Sequence, residues 1–206
     1  MKRSLTFSAI TLLSCFSVQS ETVDAIEFYH ADFNHYFITA TAEEAAILDK
    51  GTEIQGWTRT GYTFSVETTP ILNTSPVCRF FSTNFNPKSS HFYTANADEC
   101  EFVKSNKDWK YEGIAFYAFT PNEKGVCDKK DQVYRLYNNG QGGAPNHKFT
   151  TSRVNLQKMK DDGWLTEGPA GVGMCSSTLP PASIPTAANL KLMEDLIIER
   201  ALKWIN

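Results

Sequence analysis

No run of basic residues, no Cys-x-x-Cys pair and, past the first twenty positions, no stretch approaching eighteen apolar residues occurs in this 206-residue sequence. Each absence removes a class of function. A formal net charge of −3 without a basic run leaves no electrostatic footprint for nucleic acid. Without closely paired cysteines, a cysteine zinc site has little support. Without a long apolar run there is no membrane-spanning helix. Gly-x-Ser-x-Gly, His-Glu-x-x-His, phosphate-loop and EF-hand signatures are also missing, so no cofactor and no catalytic residue is expected. Gly140, Gly142 and Gly143 cluster, but they precede no Lys-Ser/Thr and read as a hairpin loop.

What is present points to an exported β-rich chain. Aromatic residues make up 13% of the sequence and fall in short runs such as EFYH, CRFFS and AFYAF, which suit pleated, half-buried surfaces. Residues 1–20 read as a secretory signal peptide: Lys2 and Arg3, an apolar stretch from Leu5 to Val18, then Val18-Gln19-Ser20 before Glu21. A second reading takes Leu12-Leu13-Ser14-Cys15 as a lipobox that would anchor a lipoprotein through Cys15, although Leu13 is uncommon at its place in that motif. Cleavage would remove Lys2 and Arg3 and take the net charge from −3 to −5. Four cysteines would remain, Cys78, Cys100, Cys127 and Cys175, an even number suited to disulfides in a secreted or periplasmic protein.

The main feature is internal repetition. Three segments, 25–66, 76–119 and 132–175, share one order of signals. Each opens on an apolar run (IEFYH, VCRFF, VYRLY), continues through a turn-rich loop, and reaches a histidine phrase, HYFITA, HFYTA or HKFTT, beginning at His35, His91 and His147. A short helix follows, preceded by Thr41, Asn96 or Ser152 as N-cap. A Trp-x-x-Thr/Glu-Gly motif then appears at Trp57, Trp109 and Trp164, and a last strand follows. That strand is plain in YTFSV and IAFYAF and weaker in the glycine-rich PAGVGMC. The expected fold is α+β, mainly antiparallel β. It consists of three strand-strand-helix-strand repeats closed around a pseudo-threefold axis, because one unit of this size cannot bury its own apolar face.

Aligned positions assign side-chain partners. Cys78 falls where the other segments have Ile26 and Tyr134, and Cys100 where they have Ala45 and Leu156. Both positions are apolar, so they read as a packing pair, which gives Cys78–Cys100 and leaves Cys127–Cys175. Arg79 and Arg135 share a position that holds Glu27 in the first segment, while Glu112 and Glu167 share one that holds Thr60. The paired change suggests a structural Arg–Glu bridge. The competing reading makes Glu112 and Glu167 the acid–base pair of a glycoside hydrolase.

The three histidines admit a converging metal site, but their turn-plus-strand setting favours structural roles with the side chains pointing apart, so no metal is assigned. Trp57, Trp109 and Trp164, with Tyr62 and Tyr111 nearby, are candidates for stacking on sugar rings, against a role in core packing. Residues 176–187 form a proline-rich linker, and 188–205 carry Leu190, Met193, Ile197, Ala201 and Trp204 at helical spacing. This amphipathic helix reads either as docked on its own domain or as a contact for another protein.

HFYTA, WKYEGIAFYAF, VYRLYNNGQGGAPNHKFTTS and GVGMC together resemble an exported bacterial repeat family, the domain of unknown function numbered 5648, over Ala25 to Cys175. The resemblance implies an accessory or binding role and carries over no catalytic residue. Copy one departs from it by an extra residue in HYFITA and by lacking the Arg–Glu combination. The expected function is a non-catalytic exported binding module for cell-envelope or extracellular glycan. The alternative is an envelope protein that binds another protein through its terminal helix.

Overall fold

The order of elements follows the order of signals. A computed structural model describes residues 20–177. β1 (Thr22–His30), β2 (His35–Thr39), α1 (Ala42–Lys50) and β3 (Trp57–Glu67) make a first set. β4 (Thr74–Phe85), β5 (Lys88–Thr94), α2 (Ala97–Lys104) and β6 (Lys110–Phe119) make a second. β7 (Gln132–Tyr137), β8 (His147–Thr150), α3 (Arg153–Asp161) and β9 (Leu165–Cys175) make a third, with a 3-10 turn at Gln141–Gly143. The signal-peptide and Cys15 readings, the 188–205 helix and nearly all of the 176–187 linker lie outside the described residues. Among the described residues no helix is long and apolar enough to cross a membrane.

Within each set the first strand is central and pairs antiparallel with the other two. The fold is α+β and mainly antiparallel β. The nine strands form one open sheet along β2-β1-β3-β6-β9-β7-β8, with β4 and β5 branching at β6. This open path replaces a closed ring of paired strands. The sets are joined in the sheet only by single pairs, Glu67 with Tyr117 and Phe119 with Cys175.

The threonine that ends the second strand of each set has a local job. Thr39, Thr94 and Thr150 each accept a hydrogen bond through Oγ1 from the backbone N–H two residues on, at 3.0, 3.0 and 3.1 Å. Those N–H groups belong to Thr41, Asn96 and Ser152, the residues that start the helices. A threonine there ends the strand and sets the helix entry. Asn96 and Ser152 then cap through their side chains, whereas Thr41 sits at the cap position without a side-chain cap bond. Gly51 ends α1 in the left-handed conformation, donating to the Ile47 carbonyl.

The same threonines fix the register. They pair with Ile26, Cys78 and Tyr134, so Tyr36, not His35, lies level with His91 and His147. The alignment of His35 with the other two histidines is thereby corrected. The extra residue of HYFITA moves His35 one place along, level with Ser90, and a shift of one residue turns a side chain to the other face.

The core joins all three sets. Phe28, Ile38 and Val66 from the first pack with Val77, Tyr93 and Phe116 from the second and with Val133, Phe149 and Met174 from the third. Smaller apolar clusters within the second and third sets hold Cys100 of α2 and Met159 of α3, so helices of eight or nine residues persist by packing on strands. The disulfides are Cys78–Cys100 and Cys127–Cys175, the pairs read from the aligned positions. Each lies in a small apolar cluster, the first with Phe80 and Phe92, the second with Tyr134 and Val172. The glycine-rich segment is a full strand, β9. At Gly173 a Cβ would come within 2.8 Å of the Arg135 Cβ, so this glycine admits the arginine rather than breaking the strand.

Candidate functional site

Glu27, Arg79 and Arg135 occupy one level of the central strands, and the first-to-last-strand ladder shifts register beside each of them. A bulge re-aims the side chain at that level. Arg79 Nε lies 3.0 Å from Glu112 Oε2, and Arg135 Nε lies 3.1 Å from Glu167 Oε2, so each arginine meets the glutamate of its own set. Glu27 instead accepts a 2.8 Å hydrogen bond from Thr60 Oγ1.

The structure adds partners that the sequence reading missed. Arg79 donates two hydrogen bonds to Glu44 at the start of α1, at 2.8 and 2.9 Å. Arg135 does the same to Glu99 at the start of α2, at 2.7 and 2.9 Å. Each arginine thus clamps the helix of the preceding set in a bidentate fork. Glu27 is bound by Lys148 of the third set at 2.5 Å. The sequence signal was a glutamate at the third position of the first two helices, replaced by Asn155 in the third.

The histidines complete these clusters unequally. His91 Nε2 lies 3.4 Å from Glu112 and His147 Nε2 lies 3.3 Å from Glu167. His35 does not point away: its Nε2 is 3.1 Å from His91 Nδ1, and its Nδ1 is 3.1 Å from Ser89 Oγ. The equivalent place beside His147 has no such neighbour, and His147 Nδ1 is buried without a hydrogen-bond partner. Among the described residues no three metal-ligating side chains gather.

Burial sets the charges of these groups. It lowers the His35 pKa from 6.5 to about 3, helped by His91 and His30. Burial also lowers that of His91, against the pull of Glu112. The hydrogen bond from His91 holds Glu112 below the ordinary carboxylate value. For Glu44, Glu99 and Glu167 burial acts upward, but hydrogen bonds from Arg79, Arg135 and His147 respectively help to hold each below 4.5.

These shifts give the fold an acid limit. A histidine depressed in the folded state takes up its proton first in the unfolded chain, so stability falls as pH drops below 6.5. The depressed glutamates add a further loss below 4.5, through their folded values. Each group costs at most about 1.4 kcal/mol per pH unit in its window. Thermal midpoints measured from pH 8 to 4 should stay level above 7 and decline from about 6.5 downward. Glu27, raised by burial, acts in the opposite sense, so the check is a comparison with His35→Gln. A parent profile no steeper below pH 6.5 than that of the variant would contradict the neutral buried His35.

The tryptophans are not a shared exposed platform. Trp164 is buried against Leu136 and Met159, and Trp109 packs part-buried on Phe85 and Phe92. Tyr62 and Tyr111 are more exposed, but Tyr62 donates to Asn155 and Tyr111 lies beneath Lys104. Trp57 differs. Its ring meets His35 edge-on at 5.1 Å and lines a pocket of about 370 Å³ between the first and second sets. Phe33, Phe37, Ile47 and Phe81 form apolar walls, and Arg79, Glu44, Ser89, His91 and Glu112 supply the polar groups. Such a volume and mixture suit a small organic ligand. Glu112 lines this pocket and Glu167 does not.

The model of a family described as a domain of unknown function, DUF5648, matches residues 24–174. The chain belongs to the DUF5648 family. No curated protein and no solved structure matches it. In this DUF5648 domain the Arg–Glu clusters recur at two junctions between sets, but the pocket with the His35–His91 pair belongs to the junction of the first and second sets.

Proposed function

We propose that this DUF5648 protein is an exported binding module that takes a terminal sugar of a cell-envelope or extracellular glycan in the pocket beside Trp57. The observation that carries the reading is the pocket wall: an indole and three phenylalanines next to Arg79, Glu44 and Glu112. Sugars offer an apolar C–H face for rings and hydroxyls for charged groups, so the two kinds of wall match the two faces of one ligand. Two disulfides among the described residues support export to an oxidising compartment.

The three sets are read as copies of one unit about a pseudo-threefold axis. Support comes from the order of the contacts, which runs in a circle: Glu44 of the first set to Arg79 of the second, Glu99 of the second to Arg135 of the third, and Lys148 of the third back to Glu27 of the first. Ser65 of β3 also exchanges hydrogen bonds with Ser176, just past β9.

Glycan-array binding followed by titration of tryptophan fluorescence tests the function. Trp57→Ala is expected to weaken binding at least tenfold, while Trp109→Ala leaves it within twofold. Equal losses in the two variants, or no glycan bound at all, would reject this site.

A further inference from the structure

Three polar residues of the Trp57 pocket wall, Ser89, His91 and Glu112, are linked through the buried His35 into a chain of hydrogen-bonding groups. Ser89 Oγ, His35 Nδ1 and Nε2, His91 Nδ1 and Nε2, and Glu112 Oε2 follow one another at 3.1, 3.1 and 3.4 Å. The protons along it have one consistent arrangement. An ionised Glu112 can only accept, so His91 donates through Nε2 and is left with Nδ1 as an acceptor. His35 then donates through Nε2 and presents Nδ1 as the acceptor for the Ser89 hydroxyl. Burial that keeps both imidazoles neutral preserves this arrangement.

We infer that Ser89 is the nucleophile of an ester-cleaving site, with His35 as its general base and His91 and Glu112 as positioning residues. The arrangement meets the usual geometric test for an activated hydroxyl: nucleophile within hydrogen-bond reach of a base, and base held by a third group. Here the third group is a histidine that is itself held by a carboxylate. The final 3.4 Å step is of a length that tightens when a substrate occupies such a site.

Two further observations fit the role. Ser89 is partly exposed and lines the pocket, whereas His35 is buried behind it at 1% exposure, so substrate reaches the hydroxyl and water does not surround the base. Arg79, which also lines the pocket, is committed to Glu44 and Glu112 and holds the latter in place. The arrangement is also confined to this junction. At the next one, the residue level with His35 is Ser90, whose hydroxyl is buried and unpartnered, as is His147 Nδ1. The repeated grammar therefore does not require the chain of groups; the displaced His35 creates it.

The substrate class is an O-acyl ester with a short acyl chain, which the phenylalanine walls accept, on an alcohol such as a sugar hydroxyl. Ser89 Oγ adds to the acyl carbon while its proton passes to His35 Nδ1. Collapse of the adduct breaks the bond to the alcohol oxygen, which leaves with that proton. Water, deprotonated by His35, then adds to the acyl-serine and releases the carboxylic acid and the Ser89 hydroxyl. One ester and one water give one acid and one alcohol.

The inference uses the pocket of the proposed function, so its test separates binding from chemistry. The disulfide-bonded exported chain is treated with a fluorophosphonate probe and digested for mass spectrometry, and is assayed with p-nitrophenyl acetate and butyrate. An adduct on Ser89 and hydrolysis that falls about a thousandfold or more in Ser89→Ala are expected. His35→Gln should abolish both. Glu112→Gln should lower kcat with little change in KM and alter the pH profile, which in the parent shows no inflection near 6.5. No adduct and no Ser89-dependent hydrolysis, with circular dichroism unchanged, overturns the inference even if glycan binds. Labelling and hydrolysis without glycan binding overturns the binding reading and leaves this one standing.

Discussion

Lys148→Met is expected to destabilise the domain by about 3–5 kcal/mol, read as a lower midpoint in urea unfolding. Lys148 and Glu27 form an ion pair with side chains only 5% and 2% exposed. The ammonium also lies over the rings of Tyr36 and Tyr62, at 4.1 and 5.1 Å. Removing it leaves Glu27 with Thr60 as its hydrogen-bond donor and one carboxylate oxygen already without a partner. A buried charge without its counter-charge costs far more than the intact pair contributes. The double variant Glu27→Leu with Lys148→Met should recover most of the loss, since it removes both desolvated charges. If the single variant costs under about 1 kcal/mol, or the double variant is no better than the single, the pair is not the buried bridge described here.

The pH dependence of that variant has a definite sign. Burial raises the Glu27 pKa above 4.5 even with Lys148 present. A carboxyl raised in the folded state binds its proton more tightly there, so its effect on stability worsens as pH rises above 4.5. Without Lys148 the rise is larger, and the penalty relative to the parent should shrink as pH falls toward 4.5.

Replacing Cys127 and Cys175 by alanine should cost about 4 kcal/mol, and replacing Cys78 and Cys100 about 3 kcal/mol. The sequence separations are 48 and 22 residues, and the longer loop restrains the unfolded chain more. The Cys127–Cys175 bridge also joins the segment entering the third set to the end of β9, beside Tyr134 and Val172. Against a usual total of about 5–15 kcal/mol, loss of both bridges leaves little margin. Unfolding curves of the two alanine pairs, with and without reductant, check this. An unchanged midpoint on reduction of the parent would contradict it.

Much of the fold was legible because its signals are local. The apolar runs, the turn-rich loops and the N-cap residues all act within a few positions. Alignment of the segments then brought Cys78 level with Ile26 and Cys100 level with Ala45, positions that share a packing role whatever residue fills them. The tryptophans were harder. Helix-stop and strand-start signals placed Trp57, Trp109 and Trp164 alike, yet Trp57 lines a pocket shared with the second set, whereas Trp109 and Trp164 pack to different depths on residues of their own sets.

The sequence by itself determined the strand-strand-helix-strand order, the cysteine pairs and the Arg–Glu contacts inside the second and third sets. Only the tertiary structure decided which set faces which. That choice made Glu44 the partner of Arg79, Lys148 the partner of Glu27, and His35 the neighbour of both His91 and Ser89. These partners stand 35, 121, 56 and 54 residues apart. The physical reason lies in the two-residue period of a strand. One extra residue in HYFITA reverses the face that His35 presents, and only the docking of one set on the next determines what that face meets.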